Sequence, residues 1–236
     1  MDTARFESFA SVDPDDLKSF ALLLSGPSRQ LRRGAYLRHE GSPDPEVYRL
    51  RSGWLACSLG TADGGRQITR FHVAGDLVGL PSFASQAASE TIQALTEIEV
   101  ETIPLQQFGR AFREHPRLGG ILYMWAQEDG VDLMNRLAQV GRMPGPRRVA
   151  ALILMLHRRL LLNNPNLDRS FAAPMTQQDV ADATGMSIVH ANRSLRHLRS
   201  RGIATWQDGT VTIHDPAKLS SLVNIPPAAR RSMLWL

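Results

Sequence analysis

The apolar positions of this 236-residue chain change their period along its length. From residue 30 to about 104, short β-rich runs alternate with glycine-containing turns. The runs cover residues 35–38, 47–51, 54–59, 67–73, 91–95 and 97–103, with Gly41, Gly53, Gly60, Gly65 and Gly75 at the corners. Strands at this spacing predict a small antiparallel barrel or jelly roll. Ahead of them, residues 14–24 read as a helix with aspartates at its start, stopped by Ser25-Gly26-Pro27. After Pro104 the spacing becomes three and four. Residues 105–114 predict a short helix, and residues 116–141 a long one of roughly 35 Å at 1.5 Å per residue. The long helix carries Leu118, Ile121, Leu122 and Trp125, then Leu133, Leu137 and Val140. These positions suit either a face packed on the barrel or a coiled-coil seam, interrupted at Glu128-Asp129-Gly130. Met143-Pro144-Gly145-Pro146 stops the helix. Residues 147–162 predict a strongly apolar core helix, and 163–174 a polar connector.

Residues 176–201, TQQDVADATGMSIVHANRSLRHLRSR, predict two short helices joined by a tight turn. Thr176 is suited to N-capping, and Asp179 completes an approximate capping box. Val180, Ala181 and Ala183 give the first helix a small apolar face. Gly185 and Met186 form the corner, where glycine tolerates the positive φ that ends a helix. Ser187 caps the second helix. Its inner side carries Val189 or Ala191 with Leu195 and Leu198; its polar side carries His190, Asn192, Arg193, Arg196, His197 and Arg199. A small crossing, a corner glycine and a cationic outer face are what a helix-turn-helix needs to read DNA. A helical hairpin with a solvated basic face is the plainer alternative. Residues 202–206 and 210–213 then predict a β-hairpin turning at Asp208-Gly209, the position of a wing.

Charge strengthens the nucleic-acid reading. The net charge is +4, but residues 142–236 carry 13 Lys and Arg against 5 Asp and Glu. The basic half is thus the half with the helical hairpin, which favours a polyanionic partner. Only Lys18 and Lys218 are lysines, a bias that a GC-rich coding sequence explains as well as phosphate binding does. The single cysteine, Cys57, excludes an internal disulfide framework or a multi-cysteine metal site within one chain. No run reaches the ~20 apolar residues of a membrane span, and MDTARFESFA lacks a signal pattern. A cytoplasmic location is expected. No nucleophile elbow, phosphate-cradling glycine loop or metal-spaced histidine pair points to an enzyme.

Three stretches carry a family resemblance. Phe71-His72-Val73-Ala74-Gly75-Asp76-Leu77-Val78-Gly79 resembles the strand and turn entering the effector cassette of the Crp/Fnr transcription regulators, in its oxygen-sensor-like version. Asp63-Gly64-Gly65-Arg66-Gln67 resembles the hairpin before it, and Gly185-Met186-Ser187-Ile188-Val189-His190-Ala191-Asn192-Arg193 the family's helix-turn-helix. The similarity spans roughly residues 15–222. It implies an α+β fold in four parts. An N-terminal antiparallel β-roll of the cyclic-nucleotide-binding jelly-roll type covers 1–115, and a long dimerisation helix 116–142. A C-terminal winged helix-turn-helix covers 143–222, and a tail 223–236.

The departures narrow what the resemblance implies. Cyclic-nucleotide-binding members hold the phosphate with an Arg-Ser pair; here Ala88-Ser89 stands in that place. Asp76 stands near the position of the ribose-binding Glu, and Leu133-Met134 falls where an adenine-contacting Thr-Ser would be. The effector-pocket candidates are therefore Asp76, Leu77, Val78, Gly79, Ser89, Leu133 and Met134. Without the Arg, a buried phosphate would lose its bidentate partner, so cyclic AMP is not the expected effector. The cysteines of iron–sulfur members are absent from the N-terminal region. His39, His72 and His115 are conceivable haem ligands, but isolated histidines are more often hydrogen-bonded or surface residues, and no cofactor is expected. In the recognition helix, Val189 takes the place of a base-reading Glu and Arg193 keeps the family Arg. Val cannot accept from cytosine N4 and suits a thymine methyl. The expected base contacts are Ile188, Val189 and Arg193, with His190 in reach. Thr176, Gln177, Ser187, Arg196 and Arg199 are expected on phosphates or in orienting roles. The expected protein is a homodimeric, sequence-specific regulator of a near-palindromic operator, with RNA polymerase as a further partner. The alternative is a cyclic-nucleotide or haem sensing module acting through a protein partner.

Overall fold

Two facing four-stranded antiparallel sheets are built from the alternating runs of the N-terminal half. The computed structural model describes residues 25–43 and 46–223, so the helix expected over 14–24 and the tail from 224 lie outside the described residues. One sheet has the order β1 (Ser28–Leu31), β8 (Ile98–Pro104), β3 (Glu46–Ser52), β6 (Leu77–Val78). The other has β2 (Tyr36–Arg38), β7 (Thr91–Ala94), β4 (Trp54–Gly60), β5 (Arg66–Val73). Inward residues of both, including Leu37, Tyr48, Leu50, Leu55, Ile92 and Val100, form the interior of the roll. β1 and β6 were not expected from the sequence; each is short, and its partners are distant in the chain.

The 27-residue helix α2 (Pro116–Arg142) follows a shorter one, α1 (Leu105–Glu114). The two halves of its apolar pattern meet different surroundings. Leu118, Ile121, Leu122 and Trp125 are buried with Phe108, Val47, Leu77 and Ile103 on the outer side of the roll. Past Glu128-Asp129-Gly130 the apolar face turns outward. Leu133 is 54% and Leu137 74% exposed. With exposed Tyr123, Ala126 and Gly130 they form a stripe at three- and four-residue spacing, the pattern of a helix-pairing seam.

A proline on each side of Gly145 separates α2 from α3 (Gly145–Asn163), the core helix of the second half. α3 packs against α4 (Gln177–Thr184), α5 (Ile188–Ser200) and α6 (Pro216–Val223). The predicted hairpin is β10 (Ala204–Gln207) and β11 (Thr210–Ile213). Its turn has φ of 50° at Asp208 and 70° at Gly209, as a two-residue hairpin loop requires. The connector expected over 163–174 is not wholly irregular: β9 (Ser170–Ala172) adds a third strand beside β11. Only Phe171 of β9 is buried, so its three residues carry too little alternation to announce a strand.

The two halves share one apolar cluster. Ile68, Phe71 and Val73 of β5, with Trp54 and Ala56 of β4, join it from the roll side; Val149, Leu152, Val180 and Leu198 join it from the other. Around it lies a ring of polar bonds. Arg66 reaches Asp179 at 2.5 Å and Asp182 at 2.7 Å, and Gln67 Nε2 donates to the Asp182 carbonyl. Arg136 donates to the carbonyls of Thr69 and Ala183, and Arg148 to those of Thr184 and Gly185. The last carbonyls of α4 thus receive two guanidinium groups, which satisfies a helix end that has no intrahelical donors. Burial lowers the Arg136 value to about 10. Arg159 of α3 holds Asp76 of the roll through two bonds of 2.9 and 3.1 Å. The same carboxylate accepts from the Val73 amide and meets His72 Nδ1 at 3.1 Å.

Phe71→Ala should cost about 3–5 kcal/mol, because the ring is wholly buried where the halves meet; urea unfolding measures it. Burial pushes His72 below its ordinary 6.5, against the opposing pull of Asp76. The unfolded chain therefore takes up this proton first as pH falls. The contribution is complete above about pH 6.5 and is lost as pH falls toward the lowered folded value. His72→Gln should make the loss of stability between pH 7 and 5.5 smaller than in the wild type, as read by urea unfolding at each pH.

Candidate nucleic-acid interface and adjoining cavity

The capping box expected at Thr176 is present. Thr176 Oγ1 accepts from the Asp179 amide at 3.1 Å, and Asp179 Oδ2 accepts from the Thr176 amide at 2.8 Å. Asp179 is therefore shared between the cap and Arg66 of the roll. α4 ends at Gly185 in the left-handed region, φ 62°, so a β-branched residue there would be strained. Ser187 then caps α5, its hydroxyl accepting from the His190 amide at 3.3 Å.

α5 resolves the choice left open on its inner side. Ala191, Ser194 and Leu198 are buried, Leu195 is half-buried, and Val189 points outward at 63% exposure. α3 and α5 approach closely at Gly145, where a β-carbon would lie 2.5 Å from Ser194 Oγ and 2.7 Å from His190 Nε2. The His190 ring thus leans on the start of α3 at Gly145 while remaining exposed. Asn192 is turned inward and half-buried. The outward residues are Ile188, Val189, His190, Arg193, Arg196, His197 and Arg199. Thr176, Gln177 and Ser187 are exposed at the N-terminal ends of α4 and α5. Two apolar side chains and three guanidinium groups thus share one convex helical face, a composition that fits base edges flanked by phosphates.

A second feature lies between β5, the 3₁₀ turn Leu80–Ala84 and α2: a cavity of about 780 Å³. Of the effector-pocket candidates, Leu77, Gly79, Ser89 and Leu133 line it. Asp76, Val78 and Met134 do not. Asp76 is buried in the bonds to Arg159 and His72, Val78 is in the roll interior, and Met134 is 63% exposed on the outer face of α2. The polar lining includes Thr69, Arg70, His72, Ser89, Glu90 and Asp129. Arg70 pairs with Asp129. Glu90 lies 3.6 Å from Arg38, whose guanidinium sits behind Gly79. Burial, with Glu90 beside it, pushes the Cys57 thiol well up, leaving it an uncharged core residue. Of the conceivable haem ligands, His72 is committed to Asp76, and the His39 ring lies 4.5 Å from that of Tyr36. Among the described residues no three metal-ligating side chains cluster, and no helix is long and apolar enough to cross a membrane.

Four residues central to this arrangement carried no signal in the sequence as site residues: Arg66, Arg136, Arg148 and Arg159. Their partners lie 36 to 116 positions away, and arginine is common throughout the chain.

Comparison with known proteins agrees with the geometry. The cyclic nucleotide-binding domain family matches residues 28–115, and the Crp-like helix-turn-helix domain family matches residues 147–222. The nitrogen fixation regulation protein FixK of Bradyrhizobium diazoefficiens is 27% identical over 214 residues, covering 90% of this chain and 88% of the relative. The transcriptional activator protein Anr of Pseudomonas aeruginosa is 24% identical, covering 82% and 79%. The solved structure of FixK2 from Bradyrhizobium japonicum superposes with a TM-score of 0.77 at 21% identity, over 86% of this chain and all of that one. Two domain matches in this order, joined by the long helix, lead to one conclusion: the chain belongs to the Crp/Fnr family of transcription regulators.

Proposed function

We propose that this chain acts as a homodimer, paired along the exposed stripe of α2, and places its two α5 helices in successive major grooves of a near-palindromic operator. The grooves of such a site are about 34 Å apart. The observation that carries the reading is the outward face of α5. Ile188 and Val189 are 41% and 63% exposed beside Arg193, Arg196 and Arg199, on a helix whose inner side is fixed by α3 and α4. Ile188, Val189 and Arg193 read bases, and Val189 favours a thymine methyl over the cytosine contact of an acidic residue. His190 makes a lesser contribution, because its ring leans on Gly145. Thr176, Gln177, Ser187, Arg196 and Arg199 hold phosphates and set the docking angle. Domain roles follow the element order: the roll senses, α2 pairs, and the winged helix reads. The regulator works in the cytoplasm with RNA polymerase as its further partner, and it is not an enzyme.

In-vitro selection with the purified protein should enrich a two-fold symmetric site; binding no tighter than to random DNA at every salt concentration would sink the proposal. Arg193→Ala should relax base preference at one position per half-site. Arg196→Ala should weaken binding evenly across sequences and reduce the salt slope by about 1. Leu137→Glu sets a charge at the C-terminal end of the stripe, on its most exposed leucine, and should yield monomers by light scattering, with loss of operator binding.

A further inference from the structure

We propose that Arg66 of the roll sets operator affinity without touching DNA, by masking two carboxylates on the helix that crosses the phosphate backbone. In a helix-turn-helix the first helix crosses that backbone, and here it is α4, so this role rests on the operator reading. The residues of α4 include Asp179 and Asp182 and no basic residue. The two acids stand three positions apart, on one face of the helix. Asp179 lies within a turn of Thr176 and Gln177, the proposed phosphate contacts. Carboxylates brought up to phosphates set like charges against each other, which costs affinity.

The compensating charge comes from the other half of the chain. Arg66 opens β5. Its Nη2 donates to Asp179 Oδ1 at 2.5 Å, its Nε to Asp182 Oδ2 at 2.7 Å and its Nη1 to Gln93 Oε1 at 2.9 Å. Among the described residues it is the only cation paired with either acid. Arg136 and Arg148 reach α4 at its far end and bond carbonyls there. The remaining partners are neutral: Thr176 donates to Asp179 Oδ2 through its amide and hydroxyl, and Gln178 donates to Asp182 Oδ1. The side chains of Asp179 and Asp182 are 7% and 10% exposed, and that of Arg66 31%. An approaching polyanion thus meets the cation more than the acids. If the roll moves off α4, the mask goes with it, and the reading half is left with two bare charges beside the phosphates. The roll therefore acts on DNA binding through charge as well as through the orientation of α4.

The test measures binding of the full chain to two probes, a duplex carrying the selected operator and a random-sequence duplex, by fluorescence anisotropy. Arg66→Met and Arg66→Gln both remove the charge. At least one of them, with unchanged circular dichroism and thermal midpoint, should weaken binding to both duplexes about tenfold at ~50 mM salt, because the acids act on phosphates and not on bases. The deficit should shrink toward ~200 mM salt as screening takes hold. Asp182→Asn added to that variant should recover about threefold or more. That gain should exceed the effect of Asp182→Asn in the wild type, where the charge is already masked. A residue that only braces the two halves predicts no recovery, because Asp182→Asn restores no lost bond. Wild-type affinity in both variants, a deficit confined to the operator or constant with salt, no recovery with Asp182→Asn, or an equal gain in the wild type would overturn the proposal. So would failure of both variants to fold. A wild-type chain that selects no operator defeats the operator reading, while the random-sequence duplex still decides the role of Arg66.

Discussion

Three arginines from three different elements converge on one eight-residue helix, and the direction of the reading head depends on them. Arg66 comes from the roll, Arg136 from the long helix and Arg148 from the start of the second half. α4 is too short to be stable alone. Its first turn is fixed by the Thr176–Asp179 box, which Arg66 grips, and its last carbonyls are held by Arg136 and Arg148. Charge-assisted bonds are stronger than neutral ones, and here they act where the backbone has no internal donor to offer. α5 inherits its orientation from α4 across a single glycine corner.

β5 is where the roll and the helix-turn-helix half are physically joined. It is an edge strand of its sheet, and its alternation divides its side chains between two environments. From Arg70 to Val73, Arg70 and His72 border the cavity while Phe71 and Val73 belong to the interdomain cluster. A strand cannot shift one set without the other, since successive side chains leave opposite faces of the same backbone. The Asp76–Arg159 bond pins the end of this strand to α3. A buried pair of this kind does more for register than for stability.

How much of this was legible in the sequence follows from the range of the interactions. The six strands of the alternating glycine-cornered runs, the helix ends at Glu114 and Arg142, the capping box, the corner glycine and the wing turn are set by neighbours within a few residues. Their periodicity and turn chemistry were readable. β1, β6 and β9 owe their pairing to distant strands, and nothing in two to four residues announces that. The inner position of α5 could be narrowed only to Val189 or Ala191, because both are apolar and only the approach of α3 at Gly145 separates them. Asp76 was placed near a ligand by analogy of position, whereas an arginine 83 residues later claims it. Ser89, Gly79, Leu77 and Leu133 fall on the cavity because the roll brings the cassette against α2.

The long helix changes its buried face at Glu128-Asp129-Gly130, and this makes it a ruler of angle as well as of length. Its first half is keyed to the roll and its second carries the exposed leucines of the stripe, Leu133 and Leu137, so the rotation between the roll and these leucines is set by residue count alone. One residue inserted between Gly130 and Leu133 would turn Leu133 and Leu137 by roughly 100° relative to the roll and to the rest of the stripe. Seven would nearly restore the angle and lengthen the rod by about 10.5 Å. Insertions in this helix are thus tolerable only in near-whole heptads. Even those would break the reach of Arg136 to Thr69, so relatives that keep both contacts must keep the helix length between them.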